Sequence, residues 1–224
     1  MKKYLLSVLF LSGAIVFNSS CGMNVLRGKG AQGTINPNVS SFNAVDINLP
    51  LKADITVKEG SQPGIQIKGF ENVIAHIKTK IENNTLRIYS DLDEMWSIDC
   101  DGIGVQITMP AIKAVSLSGA PDAEIHGNIT GKEFKLDISG AGKVGIDNIN
   151  VENFSSEVSG AGSIDVKGGA VKNATYEVSG AGKINAFPLQ TTETSASISG
   201  AGKGEFNASQ KLSASVSGAG IIKY

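Results

Sequence analysis

The sequence predicts an all-β protein whose C-terminal half is a right-handed parallel β-helix, or β-solenoid, with coils of about 20 residues. Three observations favour this fold. A tetrapeptide recurs at nearly constant spacing, apolar residues alternate with polar ones as along strands, and the 224 residues include 27 glycines but only 6 % aromatic residues. Between 42 and 117 no segment shows a convincing 3.6-residue apolar period, so we expect strands there and not helices.

The repeat is Ser-Gly-Ala-Gly, which begins at residues 139, 159, 179, 199 and 217 and has a Ser-Gly-Ala-Pro variant at residue 118. Successive starts are 21, 20, 20, 20 and 18 residues apart. This regularity is typical of stacked units, so we assign residues 118–224 to the solenoid. The residues predicted to have this structural role are Ser139, Gly140, Gly142, Ser159, Gly160, Gly162, Ser179, Gly180, Gly182, Ser199, Gly200, Gly202, Ser217, Gly218 and Gly220.

A unit of about 20 residues cannot bury its own apolar row, but coils stacked about 4.8 Å apart bury that row against their neighbours. Glycine suits the corners because it adopts positive φ and has no Cβ to crowd the next coil. We expect the alanine between the glycines to be a small inward plug. A β-propeller or a series of hairpins are the alternatives, but blades need about forty residues and hairpins carry stronger turn signals.

Residues 38–117 form a strand-rich region without the tetrapeptide. Alternating apolar residues predict strands at Val45–Ile47, Ile55–Val57, Ile65–Ile67 and Val105–Ile107. Asn83-Asn84 predicts a hairpin turn between two further strands, because asparagine tolerates left-handed backbone conformations. We expect this region to cap one end of the solenoid, where unpaired strand edges would otherwise be exposed.

The N-terminus has the pattern of an export signal over residues 1–21. Two lysines precede a 14-residue apolar run, Tyr4–Phe17, which is too short to span a bilayer. Cys21 follows small residues and precedes Gly22, which resembles a bacterial lipobox, although Asn18 stands where leucine is common. A diacylglyceryl group on Cys21 would anchor the protein to the membrane, whereas an ordinary secreted protein is the alternative. Residues 22–37 are Gly-rich and predict a flexible tether.

Charge and cysteine content exclude several classes of protein. Twenty Lys and Arg against 21 Asp and Glu give a net charge of −1, which does not support nucleic-acid binding. Cys100 is the only cysteine besides Cys21, so a disulfide-stapled fold is excluded if Cys21 carries lipid. Because Cys100 lies between Asp99 and Asp101, we expect a buried or inert thiol.

No pattern of catalytic or cofactor-binding residues is found. His76 and His126 are the only histidines and have no zinc-site spacing, while the repeated serines have no histidine partner. The irregular segment 91–101 is the one speculative ligand or calcium loop, since carboxylates suit Ca²⁺ and a tryptophan can stack on a ligand. Its candidate residues are Asp91, Asp93, Glu94, Trp96, Asp99 and Asp101, and a solvated loop is the alternative.

Charged residues flank the tetrapeptide at fixed offsets. Asp137, Glu157 and Glu177 precede it by two residues, and Lys143, Lys183 and Lys203 follow it directly. Stacking predicts neighbouring acidic and basic rows, a pattern that favours mutual charge compensation on a solvated face over a glycan-binding strip.

The repeated Ser-Gly-Ala-Gly after alternating strands, the hairpin region 81–88 and the closing segment 216–221 resemble the putative auto-transporter adhesin head domain family, also called head GIN domain proteins. The resemblance covers about residues 42–224 and implies an all-β stack in cell-envelope proteins, commonly lipoproteins of Bacteroides-like bacteria. It brings no catalytic residues. The chain departs from the family name in showing no strand series long enough for a translocator barrel.

These observations predict a non-enzymatic cell-envelope lipoprotein, an adhesin or scaffold module that binds through a solenoid face. A glycan-active or calcium-dependent polysaccharide-binding β-helix and a structural spacer without ligand are the alternatives. The expected partners are a membrane, through the N-terminal lipid, an unidentified protein or glycan, and a second copy through the solenoid ends. The expected location is the outer membrane, with the periplasmic or surface side left open.

Overall fold

The protein is described by a computed structural model that covers residues 24–93 and 95–224, so the predicted signal peptide and Cys21 lie outside the described residues. One short helix, α1 (Glu71–Ile74), accompanies nineteen strands in the described part. The N-terminal strands are β1 (Asn24–Leu26), β2 (Gln32–Ile35), β3 (Ala44–Ile47), β4 (Lys52–Val57), β5 (Gly64–Phe70), β6 (Ile77–Glu82), β7 (Thr85–Ser90), β8 (Trp96–Ile98) and β9 (Gly104–Met109). The remainder are β10 (Ala114–Gly119), β11 (Asp122–Gly140), β12 (Lys143–Gly160), β13 (Ser163–Val166), β14 (Gly169–Gly180), β15 (Lys183–Asn185), β16 (Gln190–Gly200), β17 (Lys203–Glu205), β18 (Lys211–Gly218) and β19 (Ile221–Lys223).

The predicted β-solenoid is confirmed: from β10 onward every coil pairs in parallel with the coil before it. Residues about 20 apart are direct partners, as for Phe134 with Phe154 and Val158 with Val178. The period of the sequence is therefore the length of one coil, and equivalent side chains stack at the inter-strand spacing. The described part of the chain contains no helix with the length and hydropathy needed to cross a bilayer.

The solenoid begins earlier than the expected boundary at residue 118. β3 pairs in parallel with β10, and β4 pairs in parallel with the first part of β11. Beyond them, β7 pairs with β3 and β9 with β4, again in parallel. Two layers built from the non-repetitive region thus extend the stack, and their order in space, β7 and β9 before β3 and β4, reverses their order in sequence.

One interior row shows why these layers join. Its members face the core in successive layers, and all but the last are buried. In order along the stack they are Ile88, Ile47, Leu117, Ile138, Val158, Val178, Ile198 and Val216. The alternating residues of β3 and β7 supply the same inward apolar side chains as the repeat, so they continue its core without the tetrapeptide.

The segment expected to be a flexible tether, residues 22–37, contains two strands in its described part. β1 pairs with β8, and β2 pairs antiparallel with β5. Leu26 and Ile35 pack against the hydrophobic core, which explains why this glycine-rich segment is held in place.

Antiparallel strands close the N-terminal end of the solenoid, as the sequence predicted for this region. β5 pairs with β9, and β6 pairs with β7. The hairpin predicted at Asn83-Asn84 is confirmed, since these residues have φ of 50° and 61°, the left-handed values of a type I′ turn.

An aromatic stack runs along the core of the later coils. The ring centroids of Phe134 and Phe154 are 5.7 Å apart, as are those of Phe154 and Tyr176, while Tyr176 and Phe206 lie at 4.3 Å. These four rings are almost fully buried. Stacked and edge-to-face contacts at such distances stabilise the coils beyond simple area burial.

The hydroxyl of Tyr176 is buried without a hydrogen-bond partner among the described residues, and burial raises the pKa of its phenol. We expect Tyr176→Phe to raise the free energy of unfolding by about 1 kcal/mol, because it keeps the ring and removes an unsatisfied polar atom. Urea titration checks this, with Tyr89→Phe, at a partly exposed tyrosine, as the control. A destabilised Tyr176→Phe protein would show that the hydroxyl makes a favourable contact.

Candidate ligand-binding face

The Ser-Gly-Ala-Gly corners stack directly on one another. The first glycine of each motif has φ between +110° and +124°. At Gly160, an added Cβ would lie 2.4 Å from the carbonyl oxygen of Gly140, and that same oxygen accepts a 2.8 Å hydrogen bond from the N–H of Ala161. Glycine is therefore required twice over, by the backbone conformation and by the close approach of the neighbouring coil.

The expectation that the alanine of each motif is an inward plug is wrong. Ala141, Ala161, Ala181 and Ala201 are exposed at the apex of the corner, whereas the second glycine of each of these four motifs is buried. An added Cβ at Gly162 would meet the side chain of Ile138 at 2.7 Å. The inward position is thus occupied by glycine because apolar core side chains fill the space beneath it.

Three rows of polar side chains cover the outer surface of the strands that precede the corners. We call this surface the ladder face. Its rows, each in register through five coils, are Lys135, Ser155, Thr175, Ser195 and Ser213; Asp137, Glu157, Glu177, Ser197 and Ser215; and Ser139, Ser159, Ser179, Ser199 and Ser217. The third row consists of the serines of the tetrapeptide. The face thus offers hydroxyl and carboxylate groups at intervals of about 4.8 Å along the stack.

Charges on the ladder face are compensated only in part. The Nζ of Lys135 lies 3.0 Å from Oδ2 of Asp137, and this hydrogen bond, together with the charge of Glu157, raises the pKa of Lys135. Glu157 and Glu177 are direct neighbours on adjacent strands. Because like charges in this position repel each other, a hydrogen-bond donor or a cation bound there would relieve an unfavourable interaction.

The expectation that the acidic and basic rows are neighbours is wrong, because the two rows lie on different sides of the corner. Lys143, Lys183 and Lys203 begin the strands that follow the motif, so the turn separates them from the acidic row. Lys203 instead pairs with Glu205 on its own strand, at 2.6 Å. The hydrogen bond from Lys203 is the main reason why the pKa of Glu205 is lowered.

A second charged cluster lies on the side that follows the corner. Asp147 accepts a 3.0 Å hydrogen bond from Lys167 and lies 3.2 Å from Nδ1 of His126. Both contacts lower the pKa of Asp147, and the hydrogen bond from Lys167 has the larger effect. Glu124 is 3.6 Å from the Lys167 ammonium. The cluster is a set of ion pairs that spans three coils.

Two surface grooves border the ladder face. One, of about 360 Å³, is lined by residues that include Lys113, Glu133 and Asn153. The other, of about 330 Å³, lies between Asn173, Glu193 and Lys211. Their polar linings extend the hydrogen-bonding surface. The 20-residue spacing of the serines and threonines in the first row signals this surface, but sequence reasoning singled out only the tetrapeptide serines and the acidic row.

The carboxylates of the segment 91–101 do not converge in the structure. Asp91 bonds to Nδ1 of His76 at 2.8 Å and to Lys78 at 3.1 Å, and these contacts lower its pKa. Asp93 accepts a hydrogen bond from the N–H of Met95, and Asp99 accepts one from Asp101. Glu94 lies outside the described residues. Within those residues, no three His, Cys, Asp or Glu side chains are grouped to hold a metal ion.

Trp96 opens β8 and pairs with Asn24 of β1. Its side chain is partly exposed, and the neighbouring Met95 is also exposed. Trp96 is therefore available to a partner, but it lies at the N-terminal cap and is no part of the ladder face.

Cys100 is buried, and its pKa is raised to about 11 by burial and by the charge of Asp99. At pH 8 the thiolate population is thus about 100-fold below that of a thiol of ordinary pKa. We expect a maleimide to leave Cys100 unmodified in a folded Cys21→Ser chain and to modify it in urea, as mass spectrometry can measure. Rapid modification of the folded chain would contradict the described burial.

Comparisons place the chain among known folds. The family model described as "Putative auto-transporter adhesin, head GIN domain" matches residues 41–224. A crystal structure of a putative adhesin from Bacteroides fragilis superposes with a TM-score of 0.78 at 24% identity, covering 88% of this chain and 99% of that one. A putative adhesin from Parabacteroides distasonis gives 0.68 at 14% identity and 89% and 99% coverage.

A second protein of P. distasonis, described as a putative lipid binding protein, gives a TM-score of 0.67 at 17% identity, with 89% and 99% of the two chains covered. At these identities the structures show the shared fold alone. No functionally curated protein matches the chain.

Proposed function

Because the chain belongs to the putative auto-transporter adhesin, head GIN domain family, we propose that it is a non-enzymatic lipoprotein of the cell envelope that binds a protein or glycan through its ladder face. The family description names an adhesin and no enzymatic class. The observation that carries the proposal is the in-register display of three polar rows through five coils.

The ladder face suits a polymeric or extended ligand. Its serine, threonine and carboxylate groups recur at the strand spacing, so one contact made on one coil can be repeated on the next. Hydroxyl groups donate and accept hydrogen bonds, and carboxylates accept them, which fits sugar hydroxyls or exposed peptide N–H groups. Many weak contacts in series give affinity without a deep pocket.

The non-enzymatic part of the proposal is supported by the arrangement of titratable groups. The described clusters around Asp91 and Asp147 are ion pairs whose carboxylate pKa values are lowered. A general acid at neutral pH needs a carboxyl group with a raised pKa, and catalysis needs a second group of different pKa beside it. The ladder face instead repeats one chemistry from coil to coil.

Anchoring is proposed through a lipid on Cys21. Asn24 already lies in a strand that pairs with β8. Only residues 21–23 therefore join the lipid to the folded domain, and each residue spans at most about 3.6 Å. The N-terminal cap would then lie close to the membrane. We expect Cys21→Ser to move the protein from the membrane fraction to the soluble fraction, whereas retention in the membrane fraction would contradict the lipid anchor.

Binding is tested with a double charge reversal on the face and a single control reversal elsewhere. The double variant Glu157→Lys and Glu177→Lys changes the acidic row, and Glu152→Lys changes an exposed glutamate outside the three rows. Purified proteins are applied to an array of mammalian glycans and extracellular matrix proteins. We expect the parent chain and Glu152→Lys to bind the same ligands and the double variant to lose at least 10-fold in affinity. Equal binding by the double variant would remove the ladder face from the function.

A further inference from the structure

The two ends of the solenoid are finished differently. At the N-terminal end, one of the two edge strands, β6, carries Lys78, Lys80 and Glu82, all partly or fully exposed and engaged in ion pairs. Charged side chains on an edge strand oppose pairing with another chain. At the C-terminal end, β18 pairs only with β16 and β19 only with β17 among the described residues.

The inward-facing residues of the C-terminal edge are apolar, whereas its two charged residues, Lys211 and Lys223, lie near Glu193 and Glu205 of the preceding coil. Val216 ends an interior row whose other seven members are buried, and it is 43% exposed. Ile221, 54% exposed, follows Lys183 and Lys203 in an outward row of the solenoid. Among the described residues, the apolar rows of the core therefore end at an unpaired strand edge, which is the kind of edge that accepts a further strand.

From this edge we infer that two copies of the protein pair end to end through β18, related by a two-fold axis. A strand that pairs with its own symmetry mate must run antiparallel to it. Directly opposed residues in an antiparallel pair point to the same side, so inward residues must face inward residues. β18 has its inward residues at Leu212, Ala214 and Val216, which align with the buried Thr194, Ala196 and Ile198 of β16.

One register satisfies this condition over the extended part of β18, before Gly218 turns the corner at φ +110°. It places Ala214 on the axis opposite its own mate, Leu212 opposite Val216, and Ser213 opposite Ser215. Lys211 then faces Ser217 of the second copy, so no like charges are opposed. The strand is self-complementary in apolar pattern, size and charge, whereas the charged edge of β6 disfavours an open chain of head-to-tail copies.

The inference also rests on the proposed function for its biological consequence. The stack has eight layers from β7 and β9 to β18 and β19, or about 34 Å at the strand spacing. β1, near the proposed anchor, is linked to the N-terminal cap through Arg27 and Asn72, whose side chain bonds the Arg27 carbonyl. End-to-end pairing then puts the two anchors at opposite ends of the dimer, the geometry of contact between two facing membranes.

The test in solution does not depend on the location of the protein. Sedimentation equilibrium of the full chain lacking the signal peptide, with Cys21→Ser, should give twice the monomer mass. Val216→Asp should give the monomer mass, because it puts a charge among the paired apolar residues. Val25→Asp is the matched control, since Val25 is 44% exposed at the other end, and it should stay dimeric. A monomeric parent chain, or a dimeric Val216→Asp chain, would overturn the inference.

The register is tested by cross-linking. In the same background, Ala214→Cys should be captured as a covalent dimer by a short thiol-specific cross-linker, because the two residues meet on the axis. Ala201→Cys, exposed on the preceding coil, should remain uncross-linked. Circular dichroism establishes that each variant is folded. Cross-linking at Ala201 but not Ala214 would contradict the register even if the chain were dimeric.

The facing-membrane consequence has a separate readout. Cells that display the parent chain should clump, and cells that display Val216→Asp should not. A solution dimer without clumping of the displaying cells would overturn pairing between cells, while leaving the strand pairing intact.

Discussion

Substitution of Gly160 by alanine should lower the free energy of unfolding by about 3 kcal/mol or more. The residue has φ +124°, and its new Cβ would lie 2.4 Å from the Gly140 carbonyl oxygen. The clash falls on an oxygen that joins adjacent coils through the Ala161 N–H, so it cannot be relieved without separating the coils. Urea titration measures the loss.

Two other glycines separate the causes of this loss. Gly119 has φ +85° but no atom within 4 Å of an added Cβ, so Gly119→Ala should cost only the conformational strain, about 1–2 kcal/mol. Gly64 has neither a positive φ nor a close neighbour, and Gly64→Ala should change stability by less than about 1 kcal/mol. Equal effects at all three glycines would show that the close stacking of the corners contributes nothing.

Substitution of Phe154 by alanine should lower the free energy of unfolding by about 3–5 kcal/mol. Its buried ring contacts Phe134 on one side and Tyr176 on the other, so removal leaves a cavity in the middle of the aromatic stack. Neighbouring coils are fixed by backbone pairing on both sides, which limits how far they can collapse into the space.

Phe187→Ala is the matched control for this substitution. Phe187 is 53% exposed, and its truncation should change stability by about 0.5 kcal/mol or less. A Phe154→Ala protein as stable as the Phe187→Ala protein would contradict the described core.

The repeat made the solenoid predictable because its period is also its structural register. A serine at position 139 pairs with the serine at 159, so sequence spacing translates directly into contact. The hairpin at Asn83-Asn84 was predictable for a local reason, since both residues adopt the left-handed conformation that the turn requires.

The arrangement of the non-repetitive strands could not be predicted in the same way. Alternation in β3, β4, β7 and β9 specifies a strand with one buried side but carries no information about its partner. The position of β7 and β9 in the layer beyond β3 and β4 depends on how the antiparallel strands of the N-terminal cap pair with one another. Likewise, glycine content alone indicated a tether at residues 22–37, although Leu26 and Ile35 have partners in the core.

The ladder face was predictable only in part. The tetrapeptide serines and the acidic row follow from the repeat, but the side of the corner on which each row lies depends on where the chain turns. The turn is made by the first glycine, so the acidic row precedes it and the lysines follow it. The orientation of the alanine was mispredicted because only glycine fits beneath the corner, where the methyl group of an alanine would clash with core side chains.

Labelling of intact cells tests the proposed adhesin function most directly. Ser159→Cys puts a thiol on the exposed ladder face, while the buried Cys100 leaves little background. A membrane-impermeant maleimide is added to whole cells, with a cysteine-bearing periplasmic protein as the protected control and lysed cells as the positive control. We expect labelling of Ser159→Cys on intact cells. Labelling only after lysis would place the face inside the envelope and contradict the adhesin function.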